Sequence, residues 1–225
     1  MKVAVISDIH SNLHALKEVL KDVDARGIQE IFCAGDLVGY GAFPNEVVEE
    51  MRTRNATCIY GNHDLAVVRI NPVGMNPNAA AAVNWTSKNI SAQAADYLKS
   101  LKSHAHLMIG ETAVGLYHGS PRDDDEYLYE GDAVPELLEM AQCQVLITGH
   151  THVPYIKVTS RGMLVNPGSV GQPRDFDPRA SYFIFDVKEM SFISRRLAYD
   201  FKGASQAIIE AGLPAFLGTR LAEGI

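Results

Sequence analysis

Cysteine is scarce and unpatterned: the three thiols are Cys33, Cys58 and Cys143, and no two stand at CxxC spacing. That excludes a disulfide-rich mini-scaffold. The apolar, strand-like runs around Cys33 and Cys58 predict buried free thiols in a reducing cytosol. No apolar run approaches the ~18–20 residues that a membrane span needs. The start, Met1-Lys2 followed by a short strand-like stretch to Ser7-Asp8, leaves no room for a signal peptide, so a cytoplasmic protein is expected. Basic surplus is also missing: 20 Lys and Arg stand against 27 Asp and Glu, a formal charge of −7. General affinity for nucleic acid or an anionic membrane is therefore not expected. Repeats, low-complexity tracts and linkers are absent. With 47% hydrophobic and 21% charged residues, the balance is that of a globular chain, and one domain spanning 1–225 is expected. A chain of this mass buries roughly 70–75% of its unfolded surface, enough for a core without staples.

What is present alternates regularly. Val3-Ala4-Val5-Ile6 reads as a strand buried on both faces. A helix follows, with Ser11 or Asn12 as N-cap, Leu13, Leu16, Val19, Leu20 and Val23 on one face, and Gly27 ending it. Ile31-Phe32-Cys33 is a second strand; Pro44 and Asn45 open a helix carrying Val47, Val48 and Met51; Cys58-Ile59-Tyr60 is a third strand. This β-α-β-α-β order implies a parallel sheet with right-handed crossovers. Residues 78–101 read as two helices broken near Ser91. Strands are expected at 106–109, 113–117, 145–148, 155–158, 163–165, 182–187 and 192–197, with one helix at 134–141. The tail from Phe201 is helical, with a break at Pro214.

Five clusters carry chemistry: Asp8-Ile9-His10, Gly35-Asp36 with Gly39, Gly61-Asn62-His63-Asp64, His118 before Gly119, and Gly149-His150-Thr151-His152. Four of them directly follow strand-like runs. Asp8 to Asp36 is 28 residues (36 − 8) and Asp36 to Asn62 is 26 (62 − 36), each about one βαβ unit. Such steps return the chain to the same end of the sheet, where open α/β sheets place their sites. Carboxylate, imidazole and amide oxygen without thiolate suit divalent transition ions rather than a structural zinc–sulfur site. The ligands are too many for one ion. Two ions ~3.5–4 Å apart need a bridging carboxylate, and Asp36, central in the series and the only acid of its cluster, is the natural one.

In this order the clusters resemble the calcineurin-like metallophosphoesterase superfamily, whose pattern is D-x-H, G-D-x-x, G-N-H-D/E, a lone H, and G-H-T/S-x. All five elements lie within residues 8–152, and the layout is most similar to the small prokaryotic phosphodiesterase branch. The resemblance implies an α/β fold, a β-sandwich of two mixed sheets flanked by helices (αββα). It assigns Asp8, His10 and His152 to one metal and Asn62, His118 and His150 to the second, with Asp36 shared. His63 would face the substrate with Asp64 behind it as an orienting carboxylate. Two divalent ions would be the cofactors, Mn²⁺ foremost, with Fe, Co, Ni or Zn compatible. Two ions, two carboxylates and a bridging hydroxide leave about +1, a locally positive site in an acidic protein. That hydroxide would attack the phosphorus while His63 assists the leaving group.

Other candidates have ordinary readings. His14 is expected on an exposed helical position, and His104 and His106 on the solvent face of a strand. Asp123-Asp124-Asp125-Glu126 reads as a solvated loop. Arg122 and Arg174 are candidates for touching substrate phosphate, against the commoner surface ion pair. Trp85 is expected in the core, and Asn166-Pro167-Gly168-Ser169 is explained as a turn.

The leading expectation is a metal-dependent phosphodiesterase acting on a small phosphoester. A phosphomonoesterase and a symmetrical dinucleotide tetraphosphate hydrolase are the alternatives on the same site. A protein Ser/Thr phosphatase fits less well, because Gly35-Asp36 is followed by Leu37-Val38-Gly39 rather than D-R-G. An inert interaction scaffold would have lost ligands, and none is lost. A homo-oligomer is left open. Residues 66–104 and 120–131 would flank the metals, and no motif in them names the substrate.

Overall fold

The computed structural model describes residues 1–225. β1 (Lys2–Ile6), α1 (Leu13–Ala25), β2 (Glu30–Cys33), α2 (Pro44–Thr53) and β3 (Thr57–Cys58) form the parallel start. Asn12 caps α1, its side chain accepting from the Ala15 N–H, and the helix buries Leu16, Val19, Leu20 and Val23. Three helices follow: α3 (Asn62–Arg69), α4 (Pro77–Asn89) and α5 (Ala92–Ser100), the last capped by Ser91. The second half holds β4 (His104–Ile109), β5 (Thr112–Tyr117), α6 (Glu136–Met140), β6 (Val145–Ile147), β7 (Tyr155–Thr159) and β8 (Gly162–Asn166). β9 (Ala180–Asp186), β10 (Ser191–Leu197), α7 (Phe201–Glu210) and α8 (Ala215–Thr219) close the chain, the last two separated at Pro214.

Two mixed five-stranded sheets result, in the orders β10-β9-β1-β2-β3 and β4-β5-β6-β8-β7. Alternation along β1 explains the layers. Val3 and Val5 point into the sandwich with Phe32, Val114, Val145 and Phe185, while Ala4 and Ile6 face the helices with Leu16, Val47 and Val83. On the far side α6 covers the second sheet through Leu137 and Leu138 against Leu146 and Leu164. The expected αββα arrangement is the observed one. No helix is long and apolar enough to cross a membrane.

Several local expectations shift. β3 is two residues long at a sheet edge, and Cys58 is half-buried whereas its register partner Cys33 is fully buried. His14 is half-buried rather than exposed, because α7 packs on α1 and the His14 ring lies 5.4 Å from Phe43. His104 and His106 do face solvent, and Trp85 packs against the helical core.

Helix α3 was not expected. It begins inside the Gly61-Asn62-His63-Asp64 motif and ends on Ile70, which adopts a left-handed conformation (φ 52°) and is 69% exposed. That conformation costs a β-branched residue about 1–2 kcal/mol, and Asn tolerates it far better. Since Ile70 buries little, Ile70→Asn is expected to raise stability by about 1 kcal/mol. The urea unfolding midpoint should move upward, and an unchanged or lower midpoint would remove the strain at this bend.

Candidate metal centre and cleft

The clusters converge at the carboxyl ends of parallel strands from both sheets. Asp8 and His10 follow β1, Asp36 follows β2, and Asn62 and His63 open α3 after β3. His118 follows β5, and His150 and His152 follow β6. Asp8, His10, Asp36, His150 and His152 all have left-handed backbones, with φ of 50–66°. Asp and His are among the residues that tolerate this region, and such conformations gather at functional sites. Gly61 is needed for contact: a Cβ there would strike the Asp36 carboxylate.

Hydrogen bonds fix which ring nitrogens are bare. His10 Nδ1 lies 3.2 Å from the Val38 carbonyl, His118 Nδ1 2.7 Å from Ala34 and His152 Nδ1 2.6 Å from Gln172. A carbonyl oxygen only accepts, so each Nδ1 carries the proton and each Nε2 presents a lone pair. These lone pairs meet one another. His10 Nε2 and His152 Nε2 are 3.1 Å apart, and Asp8 Oδ1 lies 3.8 and 3.2 Å from them. His118 Nε2 is 3.1 Å from both Asn62 Oδ1 and His150 Nδ1.

The two carboxylates divide their oxygens in the same way. Asp8 Oδ2 accepts from Ser7 Oγ (2.6 Å) and the His150 N–H (3.1 Å), while its buried Oδ1 has no donor. Asp36 Oδ1 accepts from the His63 N–H at 2.9 Å. Its Oδ2 stands 3.6 Å from His10 Nε2 and 3.5 Å from His118 Nε2, between the two groups. Acceptors converging without protons are what cations complete, and the all-N/O donor set fits divalent ions. Asp8, His10 and His152 form one group able to hold a metal, and Asp36, His118 and His150 another.

Charge follows this geometry. Burial would raise Asp8, but His152, His118 and His10 more than reverse it and hold the carboxyl well below its usual range. Burial pushes Asp36 well above its range, with Asp64 and Asp8 adding against His118. His10, His63 and His152 are lowered, first by burial, and His150 is brought to about 3. His118 is raised: burial opposes it, but Asp36 and Asp8 win.

Asp64 corrects an expectation. Its oxygens accept the backbone N–H groups of Leu37 (3.2 Å), Val38 (3.0 Å) and Gly61 (3.0 Å), and it makes no bond to the His63 ring. Burial pushes this carboxyl up to about 6, against those three donors. It ties the β2 exit loop to the start of α3, so it positions rather than orients an imidazole. The His63 ring instead packs on Tyr40 (4.4 Å) and His10 (4.9 Å), its Nδ1 without a partner. Gly39 makes room for it, since a Cβ there would collide with that nitrogen.

Residues 1–190 match the calcineurin-like phosphoesterase superfamily domain. The chain belongs to that family. It is 39% identical to an uncharacterized protein of Methanocaldococcus jannaschii, covering 97% of this chain and 96% of that one. A metallophosphoesterase structure from Sphaerobacter thermophilus superposes with a TM-score of 0.85 at 36% identity, over 100% and 99% of the two chains. The phosphodiesterase YfcE of Escherichia coli is 27% identical, over 86% of this chain and 92% of its own. The protein is thus a phosphoesterase hydrolase, and its buried Asp/His groups suit the divalent ions its family uses.

Beside this phosphoesterase centre opens a cleft of about 460 Å³, with Asn62, His63 and His150 at its inner end and Tyr40 and Tyr127 on its walls. Both flanking segments contribute to it. Tyr127 lies with its ring 4.0 Å from His150 and is half-exposed; no motif flagged it or Tyr40. Arg122 is not at the cleft: it pairs with Glu126 on the surface, the ordinary reading. Arg174 lies nearer, 5.9 Å over the Tyr40 ring and 3.0 Å from Gln172 Oε1.

The Asn166–Ser169 turn does more than reverse the chain. Asn166 Nδ2 donates to the Gly149 carbonyl (2.6 Å) and Thr151 Oγ1 (3.1 Å), and Ser169 Oγ donates to the Asp8 carbonyl (2.7 Å). It stitches the loops of one sheet to those of the other. Only the burial of its polar side chains would have signalled this.

Proposed function

We propose that this chain hydrolyses phosphodiesters at a two-ion centre. Asp8, His10 and His152 would hold one ion and Asn62, His118 and His150 the other, with Asp36 placed to serve both. The observation that carries the reading is Asp36 Oδ2, which faces both groups of lone pairs at 3.6 and 3.5 Å. Two divalent ions bound there supply Lewis acidity for the phosphoryl oxygens and a nucleophile at neutral pH. The chain's own groups orient the ester. His63, on the cleft side of the ligands, donates toward the leaving or a phosphoryl oxygen, and the Tyr40 and Tyr127 walls confine the ester's arms.

The preference for diesters rests on charge. A monoester carries up to one more negative charge, which calls for extra cationic groups at the phosphorus. Arg122 is engaged by Glu126, and Arg174 does not line the cleft. The name of the Escherichia coli relative carries the same activity. With added Mn²⁺, bis(4-nitrophenyl) phosphate is expected to show a kcat/KM at least ~10-fold above 4-nitrophenyl phosphate, roughly the value of one missing charged hydrogen bond. EDTA should abolish turnover of both. A monoester preference that vanishes in Arg174→Ala would overturn the diester reading and make Arg174 the responsible group.

A further inference from the structure

Helix α3 forms one wall of the cleft along its length. Asn62, Leu65, Ala66 and Arg69 all line it, at the i, i+3, i+4 and i+7 positions of a single helical face. Asn62 stands among the metal-facing groups. Arg69 lies two turns away, about 10 Å along the axis.

The far end of the cleft is lined on this side by Arg69, Asn71 and Asn76, and by no acid. Eight of the eleven arginines pair with an Asp or Glu: Arg26, Arg52, Arg54, Arg122, Arg161, Arg179, Arg195 and Arg196. Arg69 does not, and it is the one arginine or lysine lining the cleft. Two asparagines line the cleft beside it. Asn71 Oδ1 accepts the Val73 N–H (3.3 Å) and Asn76 Oδ1 accepts the Ala79 N–H (3.0 Å), which leaves each NH₂ group free to donate. Asn76 is also the N-cap of the thirteen-residue α4, whose positive end therefore meets the cleft. The left-handed bend at Ile70 brings this segment round. The cleft's one acid, Asp125, is on the segment that carries Tyr127 and makes no ion pair with Arg69.

Resting on the phosphodiester reading, we infer that the substrate carries a second phosphate, held by Arg69 with the Asn71 and Asn76 amides. Between the two phosphates lies a spacer packed on Leu65 and Tyr127. Shortened by the reach of the arginine side chain, the two-turn separation suits a spacer the size of a sugar.

The test uses the Mn²⁺-loaded protein and a matched pair: thymidine 5′-(4-nitrophenyl phosphate) with and without a 3′-phosphate. In both, water cleaves the P–O bond and releases 4-nitrophenol. The 3′-phosphate is expected to raise kcat/KM roughly 10-fold or more, the worth of a hydrogen bond to a charged group. Arg69→Gln should bring the ratio near one, and Asp125→Asn should enlarge it by removing a like charge. Arg161→Gln, whose partner is Glu139 on the surface, should leave the ratio as it was. Calorimetry gives a second readout: thymidine 3′,5′-bisphosphate should bind more tightly than thymidine 5′-phosphate, and Arg69→Gln should erase the difference. If both esters turn over equally, or the gain survives in Arg69→Gln, the second-phosphate site is overturned while the diesterase stands. If neither turns over, the diesterase reading fails, and the binding difference alone decides for or against Arg69.

Discussion

Asp36→Asn is expected to empty both metal positions and to reduce turnover by at least ~10³-fold, beyond the loss of a single positioned donor. The substitution is isosteric, so the outcome isolates charge and lone pairs. In the native side chain Oδ1 takes the His63 N–H, and Oδ2 stands between His10 Nε2 and His118 Nε2. If the new amide keeps its oxygen on His63, its NH₂ points at two nitrogen lone pairs and offers a cation nothing. If it flips, donor meets donor at His63. Either way the shared anion is gone. Metal content per chain is the measurement, with His10→Ala as comparison, which should deplete chiefly one position. A variant Asp36→Asn that retains two tightly bound ions would end the shared-carboxylate reading.

His63→Ala should behave in the opposite way: two ions retained, the fold retained, and kcat lower by about 10²–10⁴-fold, the usual scale for a positioned acid or base. The ring packs between Tyr40 and His10 rather than deep in the core, and its backbone N–H, the part that serves Asp36, survives truncation. His63→Gln restores a donor and should recover part of the loss. The geometry contains its own rival, since His63, His10 and Asp36 also lie close enough to share an ion. Loss of one ion in His63→Ala would make His63 a ligand.

The positions of the candidate ligands were legible because each follows a strand, and strands announce themselves by short apolar runs such as Val3-Ala4-Val5-Ile6 and Val145-Leu146-Ile147. The layering followed from the family resemblance, with which the parallel start and the β-rich second half agree. Side-chain direction was not legible. Asp64 follows His63 immediately, which suggests partnership, yet successive helical residues point about 100° apart. Once α3 starts at Asn62, Asp64 turns inward to the backbone N–H groups of Leu37, Val38 and Gly61. Arg69 and Tyr127 matched no pattern, because what distinguishes them is a missing partner and a neighbouring ring. Both are properties of the folded chain.

Two of the groups draw on both sheets: Asp8 and His10 meet His152, and Asn62 and Asp36 meet His118 and His150. A cation held by Asp8 and His152 therefore acts as a topological cross-link, closing a chain loop of 144 residues (152 − 8). A covalent tie across ~100 residues is worth about 4–5 kcal/mol in chain entropy. An ionic tie works on the same ensemble reversibly. Neither half of the sandwich supplies all the donors of either of these two groups alone. Ion affinity and the docking of the two sheets are thus one equilibrium approached from opposite ends.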